Sequence, residues 1–159
     1  ALILKTSAAD FSPIDREEML NKIEQVCATI DGGKNLPNIY LVHGDLTNEE
    51  MNSLYNHPKI KAHVTFTKGE GFGRPLAEAS LSEKIILAPN WSGQVDFLKH
   101  GIKLEGQLTN VHPSAVWDNV ILPESQWFSI NYKHGTDSLK YAADKKNAKT
   151  LKMFIPKSI

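Results

Sequence analysis

The sequence predicts an α/β domain whose mostly parallel sheet is covered by helices on both faces. Short apolar runs rich in β-branched residues alternate with segments in which apolar residues recur every three or four positions. Glycine, proline and helix-capping residues separate these segments. Regular alternation of this kind is typical of parallel sheets with right-handed helical crossovers.

The predicted order is β-α-β-α-β-α-β up to residue 88. Ser12 followed by Pro13, and Thr47 followed by Glu50, are typical helix starts. Because the first strand coincides with the start of the chain, we expect a piece truncated at its N-terminus. The strands are predicted at residues 2–4, 39–42, 63–67 and 85–88. The helices are predicted at residues 13–30, 47–55 and 75–82.

The pattern weakens after Gly101, and the apolar stretches of residues 104–131 show no sustained period. Ser114 is a candidate helix cap there. Thr136 or Asp137 is expected to cap a last helix, and the lysine-rich stretch that follows is interpreted as a solvated face. The whole is a Rossmann-like, three-layer architecture, in which ligands bind at the loops beyond the carboxyl ends of the strands.

Composition excludes several classes of function. The chain has 159 residues, which suits a single domain, and it carries 18 Lys and Arg against 18 Asp and Glu. A balanced charge gives no overall field that would attract nucleic acid or an anionic membrane. The apolar runs are too short for a membrane span, and Cys27 is the only cysteine. We therefore expect a cytoplasmic protein without a membrane span.

The informative segment runs from Thr67 to Ala79 and reads TKGEGFGRPLAEA. It combines a strand end, three glycines and Pro75 at a helix start. Glycines let the backbone approach a ligand closely, and N–H groups at a helix start carry partial positive charge that suits a phosphate. Spacing alone leaves a second interpretation open, in which the glycines form a tight turn and both Glu70 and Glu78 are solvated.

Other nucleotide-binding motifs do not fit. Arg74 occupies the position of the third glycine in G-x-G-x-x-G, and the chain contains no G-x-x-x-x-G-K-[ST] loop. The six histidines show no metal-binding spacing, so no metal site is predicted. Trp91 is either a platform for a sugar ring or a packing residue. His43 is either a ligand contact or a hydrogen-bonded structural residue.

The run from Glu70 to Ala79 resembles the E-G-F-G-x-P-x-x-E-A signature of group 1 (family four) glycosyltransferases, which are retaining enzymes of the GT-B fold. The stretch from His43 to Tyr55 is similar to the G-x-L/V-(x)n-E-x-x-x-L-Y segment of that family. Ser92-Gly93 falls where, in the family, a glycine-containing loop follows the next strand. The likeness covers roughly residues 39–98, and Gln126-Trp127 resembles a late tryptophan of some members.

This resemblance implies that residues 1–159 form the C-terminal, nucleotide-sugar-binding domain of a larger hexosyltransferase. Such a domain binds a UDP-, GDP- or ADP-linked sugar and needs no metal or other cofactor. Glu70 would contact the donor sugar as the catalytic residue, and Glu78 would hold the ribose. The backbone near His43, Gly44 and Leu46 would contact the base. The remaining donor-binding residues are Gly71, Phe72, Gly73, Arg74, Pro75 and Leu76.

One departure from the family concerns the diphosphate. Members carry an Arg and a Lys after the first strand of this domain, and no such Arg follows β-like residues 2–4 here. The basic residues and the acceptor-binding domain are therefore expected upstream of this chain, with Lys5 and Lys68 as substitutes. A missing edge strand would also favour a homo-oligomer. The alternative function is a non-catalytic nucleotide- or sugar-binding module, which would not need Glu70.

Overall fold

The computed structural model of the chain describes residues 1–6 and 11–144. The chain forms two compact units, Ala1–Met51 and a second that starts at Asn52. The lysine-rich stretch around Lys146, interpreted above as a solvated face, lies outside the described residues. The expectation of a single domain stays a prediction.

The first unit contains two parallel strands joined by a long helix. Strands β1 (Leu2–Lys5) and β2 (Ile39–Val42) pair in parallel, at the positions that the sequence predicts. Helix α1 (Pro13–Thr29) provides the crossover that parallel strands require. A 3-10 turn, Asp31–Gly33, follows the helix, and Gly33 adopts a φ of 77° that favours glycine.

Two predicted helix starts are confirmed in detail. The Ser12 hydroxyl accepts a hydrogen bond from the Asp15 N–H at 3.1 Å, which caps α1. At the start of α2 (Asn48–Asn56), the Glu50 carboxylate accepts from the Thr47 N–H at 2.8 Å, and the Thr47 hydroxyl accepts from the Glu50 N–H at 3.2 Å. These reciprocal bonds form the predicted capping box.

The second unit is built on a parallel sheet of three strands. Strand β4 (Ile85–Pro89) lies between β3 (Ala62–Val64) and β5 (Ile102–Leu104). Helix α3 (Arg74–Ser80) connects β3 to β4. Strand β3 is shorter than predicted, because residues 65–67 already belong to the loop that precedes α3. Strand β5 was not predicted, since three residues are too few to show a period.

An antiparallel pair follows the parallel sheet. Strands β6 (Gly106–Asn110) and β7 (Gln126–Ile130) are hydrogen-bonded over five residue pairs, and the sequence pattern did not predict them. Ser114 does not cap an α-helix. It lies in the 3-10 turn Pro113–Ala115, where the His112 imidazole accepts from its N–H at 3.2 Å.

The last described helix, α4 (Tyr132–Ala143), begins earlier than predicted. Its cap is Asn131, whose side chain accepts from the His134 N–H at 3.1 Å. The expectation that Thr136 or Asp137 caps this helix is therefore wrong. Asn is as good a capping residue as Asp, and a glycine in the first turn disguised the helix start in the sequence.

The apolar core of the second unit lies on both faces of β4. Alternate residues of a strand point to opposite faces, so Ile86 and Ala88 pack on one side while Ile85 and Leu87 pack on the other. The first face contacts the buried residues Leu76, Ala79 and Leu98. The second face contacts Ala142 of α4. The three-stranded sheet thus has a helix on each face.

The described residues therefore form a mixed α/β structure with four α-helices, parallel pairing in two sheets and antiparallel pairing in a third. None of the helices in the described ranges is long and apolar enough to span a lipid bilayer.

Candidate functional site

The glycine-rich loop that follows β3 is held at its start by β7. The Phe128 N–H donates to the Lys68 carbonyl at 3.2 Å, and the Lys68 ammonium lies 4.6 Å from the centre of the Trp127 ring. The Thr67 hydroxyl donates to the Gly69 carbonyl at 2.9 Å. The loop therefore leaves the sheet in one defined direction.

Both backbone polar groups of Glu70 are bound by the turn after β4. The Glu70 N–H donates to the Ser92 hydroxyl oxygen at 3.1 Å, and that hydroxyl donates to the Glu70 carbonyl at 2.5 Å. The same carbonyl accepts from the Gly93 N–H at 3.2 Å. Because these bonds hold both backbone groups, the position of the Glu70 α-carbon, from which the half-buried side chain extends, is fixed.

Gly93 permits this contact because it has no side chain. A β-carbon at Gly93 would overlap the carbonyl group of Gly71 and the α-carbon of Phe72. These are backbone atoms, which cannot move without displacing the loop. The sequence pattern marked Ser92-Gly93 only as a glycine-containing loop, and their contact with Glu70 depends on the fold.

The N-terminus of α3 offers fewer free donors than the sequence pattern suggests. Gly73 caps the helix with a φ of 84°, a left-handed conformation that favours glycine. The N–H groups of Leu76 and Ala77 both donate to the Gly73 carbonyl at 3.0 Å. Pro75 has no N–H. Within the described residues, the N–H groups of Gly73 and Arg74 are therefore the ones that have no hydrogen-bond partner at this helix start.

The exposed part of the loop is apolar as well as glycine-rich. The Phe72 side chain is 60% exposed, and its ring lies 5.1 Å from that of Phe97 in a tilted arrangement. Beneath the loop, the buried Gln94 amide donates to the Pro89 carbonyl at 3.2 Å. The Gln94 Oε1 atom has no hydrogen-bond partner among the described residues.

Glu78 is paired with Arg74 one turn earlier in α3. Arg74 Nε donates to Glu78 Oε1 at 2.6 Å, with the two side chains 78% and 39% exposed. This hydrogen bond raises the pKa of Arg74. Burial raises the pKa of Tyr55, and the charge of Glu78 raises it further. A ribose diol would have to share or replace the Arg74 contact.

The predicted base-contacting residues belong to the first unit. His43 Nε2 lies 2.5 Å from Asp15 Oδ2, and each side chain is only 7% exposed. Phe11 packs edge-on against the His43 ring, with 6.4 Å between centroids. The His43 side chain thus has a structural partner, in line with the second interpretation above, while its backbone role stays a prediction.

Gly44 and Leu46 follow His43 in the same unit. Gly44 has a φ of 92°, and its carbonyl accepts from the Lys5 ammonium at 2.6 Å. Lys5, predicted above as a substitute ligand for a diphosphate, is therefore bound to the backbone just after β2. Leu46 is half-buried.

Trp91 is both a packing residue and an exposed ring. Its indole stacks on the Phe128 ring with 5.6 Å between centroids and 2° between planes, and 42% of the residue stays exposed. One interpretation of Trp91, as a packing residue, is thus correct, and the exposed fraction leaves the sugar-platform interpretation open.

Sequence reasoning missed Asp15, the buried partner of His43. The only signal was a carboxylate in the first helical turn, where such residues are common for reasons of the helix dipole alone. His63 also has a role that spacing did not indicate. Its Nε2 atom lies 3.3 Å from the Tyr55 carbonyl and 3.4 Å from the Ser82 hydroxyl, and burial lowers its pKa.

Two features bear on other kinds of ligand. Within residues 1–6 and 11–144, no group of three or more His, Cys, Asp or Glu residues is placed to hold a metal ion. A shallow surface depression of about 350 Å³ lies at the junction of β5, β6 and β7 and does not include the glycine-rich loop. Its lining residues are Glu105, Gly106, Gln107, Ser129, Ile130 and Asn131.

No protein-family model matches the chain, and no curated protein sequence matches it significantly. A functional proposal therefore depends on the loop residues and their contacts.

Proposed function

We propose that this chain is the nucleotide-sugar-binding part of a retaining glycosyltransferase with a Rossmann-like parallel sheet. The observation that carries the proposal is the loop from Glu70 to Gly73, whose signature sequence coincides with a locked backbone at Glu70 and a left-handed glycine at the start of α3. One short segment thus combines a carboxylate, a glycine backbone that a ligand can approach closely and the N–H groups of a helix start.

The chemistry of sugar transfer explains why such a segment is useful. Retaining transfer requires the bond between the sugar and the diphosphate to break while donors stabilise the departing negative charge. The N–H groups of Gly73 and Arg74, at the start of α3, are suited to this task. No metal or other cofactor is part of the proposal.

Each predicted residue has a separate task in this proposal. Glu70 accepts hydrogen bonds from hydroxyls of the donor sugar, and Glu78 holds the ribose. The ligand is a UDP-, GDP- or ADP-linked sugar. The proposal also includes an acceptor-binding domain, a cytoplasmic setting and self-association.

Replacing Glu70 by Gln separates catalysis from mere binding. In the full-length enzyme, loss of the carboxylate is expected to lower the transfer rate by roughly a hundredfold or more, as removal of one electrostatic group in an active site commonly does. A non-catalytic nucleotide-binding module would show the same nucleotide affinity before and after the change. Unchanged transfer in Glu70→Gln would exclude the catalytic role.

Calorimetric titration of the chain with UDP, GDP and ADP, without metal, tests the binding function directly. One nucleotide is expected to bind, and Glu78→Ala is expected to weaken it by roughly three- to tenfold through loss of hydrogen bonds to the ribose. Glu124→Ala, which removes an exposed carboxylate of the second unit, is the matched control. Absence of binding to all three nucleotides would overturn the proposal.

A further inference from the structure

Ser92 has an unusual backbone conformation for a residue with a side chain. Its φ is 70° and its ψ is −165°, a region that is almost exclusive to glycine. Strain of this kind persists only where surrounding contacts hold it, and it concentrates at functional sites. A glycine at this position would avoid the strain but would lack the serine hydroxyl.

The Ser92 hydroxyl binds the backbone of Glu70. It accepts from the Glu70 N–H at 3.1 Å and donates to the Glu70 carbonyl at 2.5 Å. One side-chain oxygen thus binds both backbone polar groups of a residue 22 positions away. Gly93 adds a third bond to the same carbonyl at 3.2 Å. We call these three bonds, made by Ser92 and Gly93 to Glu70, the Ser92 clamp.

The segment that carries the clamp is itself fixed to the sheet. The Asn90 N–H donates to the Leu104 carbonyl at 2.9 Å, which ties the end of β4 to the end of β5. The neighbouring Trp91 ring stacks on Phe128 of β7. After the clamp, the buried Gln94 side chain donates to the Pro89 carbonyl. The position of Ser92 is therefore set by three neighbouring contacts.

We propose that Ser92 is a positioning residue for Glu70. By holding the Glu70 backbone against the end of the sheet, Ser92 orients the carboxylate that contacts the donor sugar. This inference rests on the proposed function. Glycines flank Glu70 on both sides, at positions 69 and 71, so the local chain does not restrict its direction. The clamp supplies the restriction that the flanking glycines lack.

The ligand-binding test compares each nucleotide with its sugar-linked form. Wild type, Glu70→Gln, Ser92→Ala and the double variant are titrated with UDP and UDP-glucose, GDP and GDP-mannose, and ADP and ADP-glucose. The measured quantity is the Kd of the nucleotide divided by the Kd of its sugar-linked form, and this ratio reports the contribution of the sugar to affinity. Ser92→Ala is expected to reduce this ratio by roughly three- to tenfold with the nucleotide Kd unchanged.

The double variant tests whether both residues act through one contact. If Ser92 acts through Glu70, Ser92→Ala lowers the ratio in wild type and lowers it no further in Glu70→Gln. Ser80→Ala is the matched control, because the Ser80 hydroxyl also donates to a backbone carbonyl, that of Ala77, but lies at the end of α3. A ratio that Glu70→Gln reduces and Ser92→Ala preserves would overturn the proposal.

Ser92→Gly separates the clamp from the strain. This change removes the hydroxyl and also relieves the unfavourable φ, so it is expected to unfold at a higher denaturant concentration than Ser92→Ala. Both variants are nevertheless expected to lose the same part of the sugar contribution. A Ser92→Gly variant with the full wild-type ratio would show that the hydroxyl does not position Glu70.

Amide hydrogen exchange tests the clamp without any ligand. Removal of the Ser92 hydroxyl is expected to speed exchange at the Glu70 N–H by roughly tenfold or more, because that group loses its acceptor. The Ala77 N–H, which is bound within α3, serves as the internal reference. Unchanged exchange at Glu70 overturns the clamp, whereas failure of wild type to bind any of the six compounds overturns the proposed function and, with it, the role of Ser92.

Discussion

The two units follow the same strand-helix-strand pattern but bury different kinds of residues. In the second unit the buried residues are mostly apolar and surround β4. In the described part of the first unit, Asp15 is the one residue whose backbone and side chain together are buried, while Ile14 and Val26 of α1 and Tyr40 of β2 are exposed. Periodic apolar residues therefore predict an element correctly without predicting what it buries.

The loops after β2 and β3 differ in the same way. After β2, the His43 side chain is held by a buried carboxylate of α1. After β3, the backbone of Glu70 is held and its side chain is left for other contacts. A side chain that is already paired inside its unit is a weaker candidate for ligand recognition than one whose backbone alone is fixed, and this difference favours Glu70.

The largest effect is expected for Leu87→Ala in the centre of β4. Leu87 is fully buried, so the change should lower the free energy of unfolding of the second unit by about 2–5 kcal/mol through lost transfer energy and a cavity. Urea unfolding measures the change. Ile14→Ala, at a residue that is 71% exposed in α1, should stay within about 0.5 kcal/mol of wild type. Equal losses of unfolding free energy in the two variants would contradict the described difference between the interiors of the two units.

Asp15→Asn tests whether the first unit depends on its buried polar pair. Loss of the charge is expected to lower local stability by about 2 kcal/mol, since hydrogen bonds to charged groups contribute about 1.5–3 kcal/mol. Hydrogen exchange at the β1 and β2 amides measures this loss. Glu24→Gln, an exposed carboxylate of the same helix, is the control, and equal exchange in the two variants would show that the pair is dispensable.

Gly93→Ala tests the close approach of the two loops in the second unit. The added methyl group meets the Gly71 backbone, so a cost of about 1–3 kcal/mol is expected, together with displacement of the Glu70 loop. Urea unfolding and the amide chemical shifts of residues 69–73 report the two effects. Gly69→Ala is the control because no atom lies within 4 Å of a β-carbon built there. Unshifted amides in Gly93→Ala would contradict the described contact.

The smallest effect concerns pH and the half-buried His63. Burial is the main cause that lowers the pKa of His63 below 6.5, and the hydrogen bond to the Tyr55 carbonyl opposes it. Below pH 6.5 the unfolded chain therefore binds a proton before the folded chain does, so stability falls as the pH drops from 6.5 towards the folded-state pKa.

His63→Gln is expected to flatten this dependence of the unfolding free energy between pH 7.5 and 5. Denaturant unfolding at several pH values measures it, with the exposed His100→Gln as control. A slope that persists unchanged in His63→Gln would assign the pH dependence to other groups.

Much of the fold was predictable because its signals are local. The caps at Ser12 and Thr47 and the apolar runs of β2 and β4 lie within short stretches of chain, and the structure confirms them. Strands β5, β6 and β7 were missed since their pairing partners, not their own sequences, define them. The start of α4 was placed too late because Gly135, in its first turn, disguised the true cap, Asn131.

Local patterns in the sequence are enough to predict the elements up to β4, the glycine-rich segment and a phosphate-binding function. The pairing of side chains and the contacts between loops follow from the tertiary structure. His43 contacts Asp15, 28 positions away in the sequence, and Ser92 contacts Glu70, 22 positions away. Periodicity and capping act over a few residues, whereas such contacts depend on how strands and helices pack, and no local pattern records that packing.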